Sequence, residues 1–287
     1  MPNNKTILVT GANGYVGRHV VNKLLNLGLK VIAVDLKLTD IDPRAEKLEA
    51  DIFALSNDIY ESLNRPDICL HLAWRNGFNH NSDSHIFDLP LHHNFIRKML
   101  DSGLKHLAIM GSMHEVGYWV GKIDEHTPTN PRTLYGIAKN SLRQSTEVLV
   151  SNKDIIFQWL RAFYILGDDS RNNSIFSRII KFESEGKETF PVTTGNNLCD
   201  FIPIQELAKQ ISLCVTQDKI AGIINCCTGK PVTLRSAVEN FIATNHLNIK
   251  PVFGTFPERP YDSPELWGDN KNINAIISNY EDELLRK

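Results

Sequence analysis

Tyr135 and Lys139 stand four residues apart in Leu134-Tyr135-Gly136-Ile137-Ala138-Lys139. On a helix both side chains would lie on one face. A free phenol titrates near ~10 and exchanges protons poorly at neutral pH, and a neighbouring ammonium would favour its phenolate. The pair therefore points to proton transfer at a substrate oxygen. A second group, Thr10-Gly11-Ala12-Asn13-Gly14-Tyr15-Val16-Gly17, has the composition of a phosphate cradle. Glycine allows a tight bend and lets backbone approach an anion, and a helix beginning there would offer N–H groups and a positive dipole end. The third glycine, Gly17, would let that helix pack closely on the preceding strand. Asp35 is placed where a carboxylate accepts hydrogen bonds from the ribose of a dinucleotide. It would repel a 2′-phosphate, so NAD is expected, and Lys37 nearby leaves NADP open.

These groups need elements to hold them. Thr6–Thr10 is a short apolar run of the kind buried on both sheet faces, and Val16, Val20, Val21, Leu24 and Leu25 recur at helical spacing up to Gly28. Residues 30–35, 67–73, 104–110 and 155–160 read as further strands. Helices are expected around 91–101 and over 133–151. Strands alternating with helices imply α/β architecture, a doubly wound parallel sheet with right-handed crossovers. Residues 168–200 are rich in Asp, Ser, Asn, Gly and Lys and read as an insertion or substrate loop. Residues 201–224 return to a strand–helix–strand pattern, and 228–287, with Pro231, Pro251, Pro257, Pro260 and Pro264, suit a loop-rich cap. The expected division is a dinucleotide-binding domain over 1–167, rejoined by 199–227, and a small substrate-binding lobe from 168–198 and 228–287.

Composition excludes several classes. With 42% hydrophobic and 22% charged residues the chain is an ordinary globular sequence. Its 31 basic and 33 acidic residues leave a net charge of −2, so no global field draws nucleic acid or a membrane surface. The 5 cysteines form no CxxC, and the histidines, His92-His93 included, show no metal-ligand spacing, so no metal site is expected. No apolar run approaches the ~18 residues of a membrane span, and no secretory signal is visible at Met1, so the expected location is cytoplasmic.

The TGxxGxxG turn and YxxxK pair together resemble the extended short-chain dehydrogenase/reductase superfamily, the NAD-dependent epimerases, dehydratases and reductases of nucleotide sugars. The resemblance covers nearly the whole chain and is strongest over 6–140. It implies a Rossmann fold, a homodimer packed through helices near 85–101 and 133–151, and a catalytic trio of Ser112, Tyr135 and Lys139. Ser112 falls on the hydroxyl position of Met110-Gly111-Ser112-Met113-His114-Glu115-Val116-Gly117, and Pro128-Thr129-Asn130-Pro131-Arg132 matches the entry to the catalytic helix. Gly11, Asn13, Gly14, Tyr15, Val16, Gly17 and Asp35 would hold the cofactor, with Asp51 and Ile52 beside the adenine. Leu72, Ala73 and Trp74 would run along it, and Tyr135 and Lys139 would reach it as well.

The same resemblance bears on the reaction. Relatives that dehydrate the sugar carry Asp-Glu after the hydroxyl residue, where this chain has Met113 and His114. That argues against a 4,6-dehydratase. Met113 and His114 become substrate-binding candidates, and His114 is either a second acid–base group or a pocket-lining residue. Tyr164 replaces the family's Asn in Arg161-Ala162-Phe163-Tyr164-Ile165-Leu166-Gly167, and Cys199 replaces a common Arg before Asp200. Arg259, in Arg259-Pro260-Tyr261-Asp262, matches the family's diphosphate ligand, and Arg178 and Lys181 are weaker candidates. Asn79-His80-Asn81 reads as a flexible loop able to close over substrate. The expected substrate is a nucleotide-diphosphate sugar, and the expected activity is reduction of a 4-keto-6-deoxyhexose nucleotide. A 4-epimerase with bound NAD is the alternative, and a non-catalytic dinucleotide sensor is the rival of another class.

Overall fold

Uninterrupted runs of Val, Ile, Leu and Ala form the strands, because a strand covered on both faces exposes no side to water. The computed structural model describes residues 5–55, 58–167 and 174–286. In chain order the first half holds β1 (Thr6–Thr10), α1 (Tyr15–Asn26), β2 (Lys30–Asp35), β3 (Glu46–Glu49), the single turn α2 (Ile59–Ser62) and β4 (Ile68–His71). Next come α3 (Ser84–Asp101), β5 (His106–Ser112), a 3-10 turn at Met113–Glu115, β6 (Gly121–Ile123), α4 (Leu134–Val150) and β7 (Ile156–Ala162). The second half holds β8 (Tyr164–Leu166), α5 (Ile175–Ser184), β9 (Thr189–Val192), β10 (Leu198–Cys199), β11 (Phe201–Pro203), α6 (Ile204–Val215) and β12 (Gly222–Cys226). It ends with β13 (Val232–Thr233), α7 (Leu234–Thr244), β14 (Lys250–Phe253), β15 (Glu265–Gly268) and α8 (Lys271–Leu285).

Seven strands form one sheet in the order β12-β7-β5-β4-β1-β2-β3, with every neighbouring pair parallel. The expected α/β Rossmann fold is thus present. The order reverses between β1 and β4, and an open parallel sheet has its ligand crevice at such a switch point, beyond the carboxyl ends of the strands. One face packs Val20, Val21 and Leu24 of α1 with Leu207 and Ile211 of α6. The other packs Phe95, Ile96 and Met99 of α3 with Leu142 of α4. Each fully buried aliphatic side chain here contributes roughly 1.5–3 kcal/mol.

Several elements depart from the expected pattern. The fifth strand lies at 106–112 rather than 104–110, which carries it through Ser112. Helix α3 starts at Ser84, not near 91, and continues through Pro90. Pro90 removes one main-chain bond, while buried His85, Asp88 and His92 keep the early turns anchored. The expected insertion at 168–200 begins outside the described residues; from Ser174 onward it contains α5, β9 and β10. Of the strand–helix–strand at 201–224, β11 pairs with β8 in a separate two-stranded sheet, and β12 joins the main sheet. The segment 228–287 is less loop-rich than its prolines imply. Ile273 and Ile276 of α8 lie in the same core as α1 and α6, so this last helix covers the sheet. A further apolar cluster, with Phe176, Phe190, Val238 and Phe241, unites α5, β9 and α7.

Candidate active site

The bend after β1 has the geometry its glycines allow. Gly11 adopts φ +66, and a Cβ there would lie 2.7 Å from the Ala73 backbone. A Cβ on Gly17 would lie 2.2 Å from the Gly11 carbonyl oxygen, so α1 approaches the bend as closely as a bare backbone permits. No side chain caps the start of α1, and no acidic residue occupies its first turn. Gly11, Gly14, Tyr15, Val16 and Gly17 line a cleft of about 650 Å³. This cradle suits a pyrophosphate. Asp35 ends β2 and accepts hydrogen bonds from the Asn13 amide at 3.0 Å and the Leu36 amide at 2.8 Å, which ties the bend to the next strand. Asp51 caps its own turn by accepting from the Phe53 amide, and Ile52 is buried in the core. Leu72 and Trp74 line the cleft, and the Ala73 amide donates to Thr10 Oγ1 at 3.3 Å.

Ser112, Tyr135 and Lys139 open onto the same cleft. Ser112 ends β5, and its Oγ accepts from the His114 amide. Thr133 caps α4 by accepting from the Gly136 amide, so the helix begins one residue before the phenol's turn and both Tyr135 and Lys139 face inward. The electrostatics differ from the expected lowering of the phenol by the ammonium. Burial pushes Tyr135 up to about 12, a hydrogen bond with Ser112 opposing it. Burial also pulls Lys139 down to about 7. Its Nζ donates to the Met110 carbonyl at 2.8 Å and lies 3.8 Å from the Trp74 ring centre, but 6.0 Å from that of Tyr135. Desolvation therefore dominates both groups.

Beneath Trp74 lies a set of histidines that sequence reasoning did not find. Thr10 Oγ1 is 2.8 Å from His71 Nδ1, and His71 Nε2 is 2.8 Å from His92 Nδ1. Trp74 stacks on His92 with ring centres 4.4 Å apart, and its Nε1 donates to His85 Nδ1 at 3.1 Å. Burial pulls His71 down to about 3 and lowers His92 as well, so one nitrogen of their contact donates and the other accepts, without charge. This chain of contacts links the glycine bend to α3. Only the strand-end position of His71 offered a signal; 21 residues separate it from His92.

Met113, His114, Arg178 and Arg259 line the cleft, whereas Lys181 pairs with Glu185 on the surface of α5. Arg178 lies 5.7 Å from the Phe190 ring and 5.6 Å from the Phe256 ring. Tyr164 and Cys199, the two departures from the family pattern, meet through a hydrogen bond on the cleft wall. The Asn79-His80-Asn81 loop is hydrogen-bonded to the start of α4 and to α3. The His80 carbonyl accepts from the Tyr135 amide at 2.9 Å, Asn81 Oδ1 accepts from the Leu134 amide, and the Asn79 carbonyl meets His85 Nε2 at 2.9 Å. Under the 3-10 turn, Glu115 Oε1 accepts from Arg161 Nε at 2.5 Å and Oε2 from Trp159 Nε1 at 2.7 Å, with both charged side chains wholly buried.

Residues 7–227 match the NAD dependent epimerase/dehydratase family. The chain belongs to that family. Its enzyme type, an oxidoreductase or epimerase of the short-chain dehydrogenase/reductase kind, and its NAD cofactor are those expected from the motifs. One family relative is a dTDP-6-deoxy-L-talose 4-dehydrogenase (NAD(+)) from Aggregatibacter actinomycetemcomitans. It is 48% identical over 270 residues, covering 91% of this chain and 98% of that protein. A putative UDP-glucose 4-epimerase from Methanocaldococcus jannaschii is 24% identical and covers 90% and 86% respectively. Among solved structures, MoeE5 in complex with UDP-glucuronic acid and NAD superposes with a TM-score of 0.80 at 21% identity, covering 95% of this chain and 92% of that one. The UDP-N-acetylglucosamine 4-epimerase from Methanobrevibacter ruminantium M1 gives 0.83 at 20% identity, with the same coverage. These two likenesses show the family's fold. Among the described residues no helix is long and apolar enough to cross a membrane.

Proposed function

We propose that the protein interconverts the C4 ketone and C4 alcohol of a 6-deoxyhexose carried on a nucleoside diphosphate, acting as a reductase of the 4-keto sugar. The observation that carries this reading is the convergence of Ser112, Tyr135 and Lys139 in one cleft with the glycine bend. The 48% identical 4-dehydrogenase supports the sugar class, its name describing the same exchange in the direction of oxidation. NADH held at the glycine bend would supply the hydride for the carbonyl carbon. Ser112 donates a hydrogen bond that polarises the carbonyl, and Tyr135 gives its proton to the developing alkoxide. A phenol held near 12 is fully protonated at neutral pH, which suits a proton donor. Lys139 orients the nicotinamide ribose and offsets the charge left on Tyr135.

In this reading Gly11, Asn13, Gly14, Tyr15, Val16 and Gly17 hold the pyrophosphate, Asp35 the adenosine ribose, and Asp51 and Ile52 the adenine. Leu72, Ala73 and Trp74 flank the nicotinamide half. Asp35 favours NAD over NADP by repelling a 2′-phosphate. Met113 and His114 contact the sugar, and Arg259 with Arg178 takes the diphosphate. Residues up to 167 with 199–227 form the cofactor domain. Segments 174–198 and 228–268 form the sugar-nucleotide lobe, α8 lying with the former domain. The enzyme is a cytoplasmic homodimer. Five free, buried cysteines suit a reducing compartment, and Phe87 with Leu91 on α3, and Ile137 with Val148 on α4, leave apolar side chains exposed for a partner.

The test is to supply dTDP-4-keto-6-deoxyhexose and NADH and follow nicotinamide absorbance. Stoichiometric loss supports the reductase. Interconversion of sugar isomers without net loss would make it an epimerase, and binding without turnover would make it a sensor. Tyr135→Phe should lower turnover about a thousand-fold and leave cofactor binding largely intact.

A further inference from the structure

His80 belongs to no motif, yet its ring is built into the wall of the cleft. It stacks on Tyr135 with ring centres 5.5 Å apart and planes 14° from parallel. His114 completes a triangle with them, its ring centre 4.2 Å from that of His80 and 5.9 Å from that of Tyr135. The loop that carries His80 is held by its backbone to the start of α4, so the imidazole needs no side-chain bond to stay in place. His80 Nδ1 is buried and has no hydrogen-bond partner among the described residues. An unpaired buried nitrogen of that kind is costly. Both histidines, Ser112, Tyr135 and Arg259 line one cavity.

We propose that His80 and His114 form a paired imidazole subsite for a sugar hydroxyl beside the reacting carbon, His80 being a specificity-determining residue that aligns the sugar ring against Tyr135. This rests on the sugar-nucleotide reading given above. Imidazole supplies one donor and one acceptor nitrogen, which is what a hydroxyl needs. Burial and the Arg259 guanidinium pull His80 down to about 4 and His114 to about 3, so the pair is uncharged at neutral pH. An uncharged pair fits a neutral hexose or deoxyhexose and gives a sugar carboxylate no countercharge. Arg259 remains beside the pair for the diphosphate.

The experiment is titration calorimetry of the NADH-loaded protein, which cannot oxidise the alcohol, with dTDP and with a dTDP-6-deoxyhexose, for the parent, His80→Phe and His80→Gln. His80→Phe preserves an aromatic face toward Tyr135 and removes both nitrogens. It should weaken the sugar nucleotide about ten-fold and leave dTDP unchanged, the size expected for one lost neutral hydrogen bond. His80→Gln, which retains a donor and an acceptor, should recover most of that loss. Equal affinity of the parent and His80→Phe for the sugar nucleotide, or equal weakening of dTDP, overturns the subsite. If His80→Phe does not fold, the outcome with His80→Gln decides: a ten-fold loss there for dTDP and sugar nucleotide alike refutes the proposal. Failure of the parent to bind any sugar nucleotide more tightly than dTDP overturns the functional reading itself, a separate result.

Discussion

Lys139→Met separates what this residue does for chemistry from what it does for the fold. The ammonium is almost fully buried, at 2% exposure, and burial pulls it from 10.5 to about 7. At 1.36 kcal/mol per pH unit, carrying the charge into the folded state costs about 5 kcal/mol. That figure is already net of the ammonium's contacts; methionine forfeits the bond to the Met110 carbonyl, at a cost of about 1.5–3 kcal/mol. Methionine has a similar length and no charge, so the variant should be about 2 kcal/mol more stable at low pH. The sign follows from proton counting. Between about pH 7 and 10.5 the unfolded chain binds the extra proton and the folded chain does not, so stability of the parent rises with pH in that window. The advantage of the variant is therefore full below pH 7 and falls by about 3 kcal/mol by about pH 9.5, where the parent should be the more stable by about 1 kcal/mol. Urea unfolding of both proteins at about pH 6 and about pH 9.5 measures it, with turnover assayed alongside and expected to be lost. A variant less stable than the parent at the lower pH, or an advantage that does not change with pH, would refute the argument.

Glu115→Gln breaks the ion pair with Arg161 while sparing the acceptor for Trp159; it should cost about 3 kcal/mol in urea unfolding, and a loss under about 1 kcal/mol would mean the pair contributes little. The companion double change, Glu115→Leu with Arg161→Met, avoids desolvating two charges but leaves Trp159 Nε1 and the Asp124 carbonyl without these partners, so it should recover only part of that loss. Phe87→Glu, at a side chain 73% exposed, should turn the proposed dimer into a monomer in sedimentation equilibrium; a monomeric parent, or an unaltered dimer, counts against α3 and α4 as the contact.

The parts of this fold legible from sequence are those fixed by local chemistry. The bend at 10–17 needs glycine at Gly11 for its φ and at Gly17 for its clearance, and no common alternative satisfies both. The central strands are legible because Val, Ile and Leu run without interruption. Helix α3 is not, since its first turns present Ser84, His85, Asp88 and Pro90, whose tertiary partners hold them: Asp88 pairs with Arg75 and His85 with Trp74. The last helix is masked by the prolines before it, although Ile273 and Ile276 repeat at helical spacing. Spacing also placed Tyr135 and Lys139 on one face, but it could not give the sign of their pKa changes. That sign depends on how much water reaches the two groups, a property of the closed cleft rather than of the YxxxK stretch.

The histidines suggest why the cleft tolerates a buried ammonium at all. His71, His92, His85, His80 and His114 are all lowered by burial, so five titratable rings around the reacting centre are neutral. Any one of them protonated would repel Lys139, and the same field is one cause of the lowering at His71, His85 and His92. The aromatic faces of Trp74 and Tyr135 are then the main polarisable surfaces near that charge. Besides Lys139, the cationic side chains lining the cleft among the described residues are Arg178 and Arg259, with the carboxylates Glu258 and Asp262 nearby. A ligand with an anionic diphosphate at one end and an uncharged sugar at the other meets guanidinium groups with the first and neutral hydrogen-bonding rings with the second. In the proposed reading, a diphosphate held toward Arg178 and Arg259 sets the sugar end toward Tyr135.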